Sequence, residues 1–272
     1  MIIFVHIPKC AGTSFSKMIE SSCPNKFQHV HEIEEWSMKH GSIKETYEEG
    51  EKLDFVPYYC HSHFCHGFHR IFPTEDYKYI TFLRDPIQRT LSAIRFNAER
   101  VIKFRGKPRN PGIFADDLFS NLYEEFYVNK KDSNAFLNKL LENNILRDQM
   151  THQLSGQTHL DDIILSDEMK NSALWFPPYF RVKNYRETSL NIMLNCAVDN
   201  LKDYTFIGLQ EDMEGSMKRF KESFPKIKVT KDPNKHKSTS SKFFNTTEND
   251  LEVLEEMNKW DIKLYAAAKD MT

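Results

Sequence analysis

Apolar positions recur along this chain with two periods. Short apolar runs bounded by polar or turn-forming residues fall at Ile2 to Ile7, Phe55 to His61, Tyr77 to Leu83 and Tyr204 to Leu209. They read as strands, the first one buried on both faces of a parallel sheet. Between them the spacing turns helical. Thr13 to Ser22 sets Phe15, Met18 and Ile19 on one face at i, i+3 and i+4. Pro86 stands where a helix accepts proline, and the pattern then runs to about Phe104 with Ile87, Leu91, Ile94 and Phe96 apolar. Residues 113 to 155 predict two or three helices, and 33 to 40 and 161 to 170 a short one each. Thr188 to Leu201 and Met213 to Phe224 predict two more. Thr247 to Ala268 reads as one long terminal helix with Leu251, Leu254, Met257 and Ile262 in its stripe. Residues 105 to 113 are a loop by composition, and Trp175 to Tyr179 interrupts regular structure. Strands alternating with helices predict an α/β fold: a central parallel sheet flanked by helices, one domain over 1–272, with a helical insertion at about 105–200. A ligand of such a sheet belongs at the carboxyl ends of the strands.

Composition narrows this picture. With 272 residues and 40% hydrophobic content the chain suits one large α/β domain or two small ones. A net charge of −2 gives no global basic signature, so nucleic acid is not an expected partner. The five cysteines form no C-x-x-C pair, which favours reduced thiols. No apolar run is long enough for a membrane span, and the first residues enter the first strand without a charged leader.

Two stretches carry chemistry. In the first, His6-Ile7-Pro8-Lys9-Cys10-Ala11-Gly12-Thr13-Ser14, a strand runs through a small-residue turn into a helix. That arrangement aims backbone N–H groups at a phosphate. The Walker pattern places Lys directly after its second Gly; here Lys9 precedes Gly12 by three residues, which disfavours an ordinary ATP or GTP loop. In the second, Leu83-Arg84-Asp85-Pro86, Arg89 and Ser92 follow a strand into a helix. Arg84 offers a planar, always ionised fork suited to a phosphate dianion.

The order Pro-Lys-x-x-Gly-Thr-Ser resembles the 5′-phosphosulfate loop of the sulfotransferase superfamily, whose members use 3′-phosphoadenosine-5′-phosphosulfate (PAPS) as donor. The whole stretch is similar to carbohydrate sulfotransferases related to heparan sulfate 2-O-sulfotransferase. The resemblance implies a P-loop-like fold and sulfuryl transfer from PAPS to a hydroxyl, most readily of a carbohydrate, with no metal required. It implies that Lys9, Cys10, Ala11, Gly12, Thr13 and Ser14 bind the 5′-phosphosulfate, with the N–H groups of Gly12, Thr13 and Ser14 on the phosphate. Arg84 and Ser92 would hold the 3′-phosphate, with Arg89 a lesser contact or a surface residue. Acceptor choice is expected from residues 25–54 and 105–145, which match no known motif. By the same resemblance a complete chain would work in the cytoplasm, whereas one trimmed from an anchored eukaryotic relative would work in the Golgi lumen.

Sugar hydroxyls are weak nucleophiles and call for a base, and imidazole suits that task near neutral pH. Cys60 to His69 carries four of the eleven histidines. His63-Phe64-x-x-Gly67 resembles the family's element near its catalytic histidine, which makes His63 the expected base and His61 the second candidate. Glu20, Glu32, Glu34 or Glu35 is the fallback. The same cluster also reads as a structural one, or as a zinc site built from Cys60, His61, His63, Cys65 and His66, although its spacing suits no standard zinc pattern. Gln153-Leu154-Ser155-Gly156, the strand and turn Phe206 to Met213, and Trp260 to Tyr265 resemble architectural elements of the family. Lys235 and Lys237 lie where relatives close over the donor. Two other functions compete. A P-loop kinase needs a Walker lysine that is missing and a Mg²⁺-binding Asp for which Asp85 is a poor substitute; a non-catalytic nucleotide- or glycan-binding protein would keep the fold without turnover.

Overall fold

A computed structural model describes residues 1–22, 56–63, 65–103, 117–156, 163–164, 181–182, 187–229 and 244–272. The sheet has four strands, β1 (Ile2–Val5), β2 (Tyr59–Ser62), β3 (Lys78–Leu83) and, late in the chain, β6 (Phe206–Leu209). All pairings are parallel, in the order β2-β1-β3-β6. β1 is apolar throughout because it is flanked by a strand on each side and covered on both faces; its four residues are all buried.

Helices cover the sheet. α1 (Gly12–Ser22) follows β1 and lays Phe15 against Phe4, Phe82, Phe206 and Phe220. α2 (Pro86–Lys103) follows β3. α3 (Asp117–Leu122), a π-helical stretch (Tyr123–Asn129) and α4 (Ser133–Glu142) come next, and then α5 (Gln149–Ser155). A two-residue antiparallel ribbon joins β4 (Ile163–Ile164) to β5 (Arg181–Val182). α6 (Glu187–Lys202) and α7 (Met213–Ser223) bracket β6, and α8 (Asp250–Met257) and α9 (Lys259–Asp270) end the chain. Two apolar cores result. One surrounds the sheet and takes Met150 and Leu154 of α5, Ala197 and Leu201 of α6, and Leu264 of α9. The other joins α2, α3, α4 and α8 around Ile94, Phe119, Phe136, Phe244 and Leu254. No helix among the described residues is long and apolar enough to cross a membrane.

Three expectations change. The terminal helix is two helices, broken at Asn258, whose backbone leaves the helical region and whose buried carboxamide accepts from Thr90 and donates to Leu254 O. The actual stripe runs through Leu254, Met257, Trp260, Leu264 and Ala268, while Leu251 and Ile262 are exposed; the break rotates α9 relative to a continuous helix. The helix expected at 161–170 is contradicted at Ile163–Ile164, which are strand. Arg89, expected at the surface or as a lesser phosphate contact, is fully buried and donates to Gln149 Oε1, to Thr90 Oγ1 at 2.7 Å and to Leu146 O at 3.1 Å. The regions 33–40, 105–113 and 175–179, with Lys235 and Lys237, lie outside the described residues.

α5 and α9 cap each other. Asp148 Oδ1 accepts the Trp260 and Asp261 N–H groups at 2.7 and 3.0 Å, and Asp261 accepts those of Met150 and Thr151 at 3.1 and 2.7 Å. Each carboxylate thereby satisfies orphan donors in the other helix's first turn.

Candidate functional site

The turn from β1 to α1 is built on unusual backbone. Lys9 and Ala11 both have positive φ, 70° and 63°, a region costly for residues with a Cβ and held only where the surroundings over-determine it. Gly12 is needed for a different reason: a Cβ there would overlap the His6 ring. The Ser14 N–H turns back to Ala11 O at 3.1 Å. The N–H groups of Gly12 and Thr13, first in α1, have no hydrogen-bond partner among the described residues and point out of the helix start. Cys10 presents only its backbone, since its thiol is buried and burial pushes it up to about 12.

Lys9 lies among cations. Its ammonium is 4.0 Å from the centroid of the Phe96 ring on α2, and the Arg100 guanidinium is 4.2 Å from the same ring. Burial, followed by the charges of Arg84 and Arg100, lowers Lys9 to about 8. Among the described residues its ammonium makes no ion pair. Arg84 leaves the end of β3 and donates from Nη1 to Lys9 O at 3.2 Å. The two anchors anticipated for one nucleotide are therefore in direct contact at the carboxyl edge of neighbouring parallel strands. Ser92 is half-buried on α2, six residues past its start, or roughly 9 Å along the axis.

His61 and His63 gather around a third histidine that sequence reasoning passed over. The His6 ring lies 4.5 Å from that of His63 and 6.4 Å from that of His61. His63 Nδ1 is 2.7 Å from His6 O. A carbonyl can only accept, so Nδ1 carries the proton and the lone pair belongs to Nε2. Gln153 Nε2 donates to the same carbonyl at 3.1 Å, and Gln153 O accepts the His66 N–H at 3.0 Å. Gln153 thus braces the end of β1 against the turn after β2. Burial depresses all three imidazoles: His6 well below its ordinary value, aided by His63, His61 and Lys9; His61 to about 4; and His63 below its ordinary value, opposed by its bond to His6. They are neutral at physiological pH.

His66 and His69 do not join this group. Both pack on Tyr79, with His66 stacked on its ring at 4.7 Å. No three His, Cys, Asp or Glu side chains among the described residues are grouped to hold a metal ion. Of the carboxylates kept as fallback bases, Glu32, Glu34 and Glu35 lie outside the described residues.

The α/β sheet thus carries a strained, lysine-bearing turn at its first strand and, touching that turn, an arginine from the neighbouring strand. The family model described as the sulfotransferase family matches residues 1–266, and the chain belongs to that family. Membership makes it a transferase of sulfuryl groups. No curated protein gives a match to this chain.

Proposed function

We propose that this sulfotransferase moves the sulfuryl group of PAPS to a carbohydrate hydroxyl, with His63 as general base. The observation that carries the proposal is the hydrogen bond from Arg84 to Lys9 O: a guanidinium fork beside a lysine-bearing turn suits a nucleotide charged at both its 3′ and 5′ positions. The Gly12 and Thr13 N–H groups receive the 5′-phosphate at the positive end of α1. Arg84 and Ser92 receive the 3′-phosphate. Lys9 neutralises the negative charge that grows on the bridging oxygen as the sulfur–oxygen bond to phosphate breaks. His63 Nε2 takes the proton of the acceptor hydroxyl while that oxygen attacks sulfur in line, and the nucleotide leaves as 3′-phosphoadenosine-5′-phosphate (PAP). His6 O orients the imidazole through Nδ1, and Gln153 holds His6 O in place. Positioning and charge stabilisation supply most of the rate. The carbohydrate acceptor rests on the form of the first turn.

Two measurements test this reading. Calorimetric titration with PAP should show binding where ATP–Mg²⁺ shows little, and a preference for ATP–Mg²⁺ would favour a kinase instead. Label from ³⁵S-PAPS should appear on members of a glycan panel. Donor binding without transfer to any hydroxyl acceptor would leave a binding protein on the same fold.

A further inference from the structure

Two buried polar atoms near the donor site have no hydrogen-bond partner among the described residues: Arg84 Nε, a donor, and Gln210 Oε1, an acceptor. They are neighbours in register. β3 and β6 pair Phe82 with Gly208 and Leu83 with Leu209. The Gln210 N–H then donates to Leu83 O at 2.9 Å, which carries the ladder one residue further and sets Arg84 opposite Gln210. Alternation along the strands brings both side chains out on the face of Phe82. That face is the one α1 covers, through Phe15 at 4.8 Å from Phe82, and this edge is the one where α1 begins. Phe82 leans toward β6, since a Cβ on Gly208 would overlap its ring, whereas the tip of Arg84 reaches toward β1 and Lys9 O, which leaves the space between Nε and Gln210 to be filled by a ligand. Glu211, the next residue, is already committed: its carboxylate accepts the Asp85 N–H at 3.1 Å and the Tyr265 hydroxyl at 2.7 Å.

A buried acceptor left without a donor is unfavourable, and a ligand that supplies one relieves the penalty. The Arg84–Gln210 pair suits a ligand carrying an acceptor and a donor on adjacent atoms. PAPS consists almost wholly of acceptors. Its neutral donors are the adenine amino group and the ribose 2′-hydroxyl, and only the second is vicinal to the 3′-phosphate. We propose that Gln210 is a donor-specificity residue whose carboxamide oxygen accepts a hydrogen bond from the ribose 2′-hydroxyl while Arg84 holds the neighbouring 3′-phosphate. This inference rests on the assignment of PAPS as donor. Sites that hydrogen-bond a substrate hydroxyl reject the analogue lacking it, because the site's own polar group is then stranded.

The test is calorimetric titration of PAP and its 2′-deoxy analogue into the wild-type protein, Gln210→Leu and Gln210→Glu. The wild type should bind the ribo form at least tenfold more tightly. Gln210→Leu should bind both forms alike. Gln210→Glu should keep the preference for the ribo form, because a carboxylate still accepts, while both affinities fall beside the 3′-phosphate. A wild type indifferent to the 2′-hydroxyl, or a preference surviving unchanged in Gln210→Leu, overturns the role of Gln210 and leaves the donor assignment standing. If Gln210→Leu fails to fold, Gln210→Met, which keeps the length of the side chain and removes its oxygen, takes its place with the same expected and overturning results. Failure of PAP to bind the wild type removes the donor assignment itself, and this inference with it.

Discussion

Two pairs of histidines from one decapeptide meet opposite fates. His61 and His63 turn toward His6 at the carboxyl edge of the sheet. His66 and His69 turn to Tyr79, whose side chain leaves β3 on the face opposite Phe82. The hydrogen bonds give the two sides opposite tautomers. His63 Nδ1 faces a carbonyl at 2.7 Å and must donate. The Tyr79 oxygen already accepts the Gly67 and His69 N–H groups at 3.1 and 3.0 Å, so its own proton goes to His69 Nδ1 at 2.9 Å. Burial keeps that phenol protonated. His63 therefore has its lone pair on Nε2, whereas that of His69 is consumed at Nδ1 by the tyrosine. Residue type is shared; the partner of one ring nitrogen puts the proton of His63 on Nδ1 and makes Nδ1 of His69 an acceptor.

The largest effect expected is on the first pair. His63→Ala should lower sulfuryl transfer by ~10²–10⁴-fold with PAP affinity retained; normal turnover in that variant would abolish the contrast. Lys9→Ala should cost ~10²–10³-fold in turnover and also weaken PAP binding. The pH profile of kcat/KM sharpens the comparison. His63, lowered by burial, stays neutral and active as pH falls through 6.5, so the acid limb should lie below that value. Lys9 loses its proton as pH rises through about 8, which sets the alkaline limb there in the free enzyme. An acid limb above 6.5 would speak against His63. Tyr79→Phe tests the second pair. It strands the Gly67 and His69 N–H groups and should cost about 1–3 kcal/mol of stability in urea titration, with kcat unchanged. The smallest change should come from His69→Phe, which keeps the stacking on Tyr77 at 4.1 Å and loses one hydrogen bond, roughly 1 kcal/mol.

Much of the frame was legible in the amino-acid pattern because the signals are local. The four strands, the helix after each phosphate-type turn, and the placement of Lys9 and Arg84 at strand ends follow from periodicity and from Gly and Pro placement. Three features were not legible, for one shared reason: each depends on a contact distant in sequence. His6 sits one residue outside a strand and looks like part of it; its role appears only when His63 docks on its carbonyl. Arg89 lies on a helix face that reads as polar, yet it is fully buried and finds acceptors in Gln149 of α5 and in Leu146 O, some sixty residues on. Asn258 ends α8 because Thr90, far earlier in the chain, donates to its carboxamide. In the sequence Gln153 stands out only as part of the Gln-Leu-x-Gly element that resembles the family's. Its side chain supports His6, while Gly156 takes φ +66° where a Cβ would press on His66 O.

The mutual capping of α5 and α9 gives the last helix influence over chemistry it never touches. Asp261 steadies the start of α5, α5 carries Gln153, and Gln153 steadies the carbonyl that aims His63. Losing the Asp261 carboxylate alone would leave the lysine turn, the arginine and every histidine in place, yet would loosen the support of the His63 ring. On the mechanism proposed above, Asp261→Ala would therefore present as an enzyme that still binds PAP and has lost its rate.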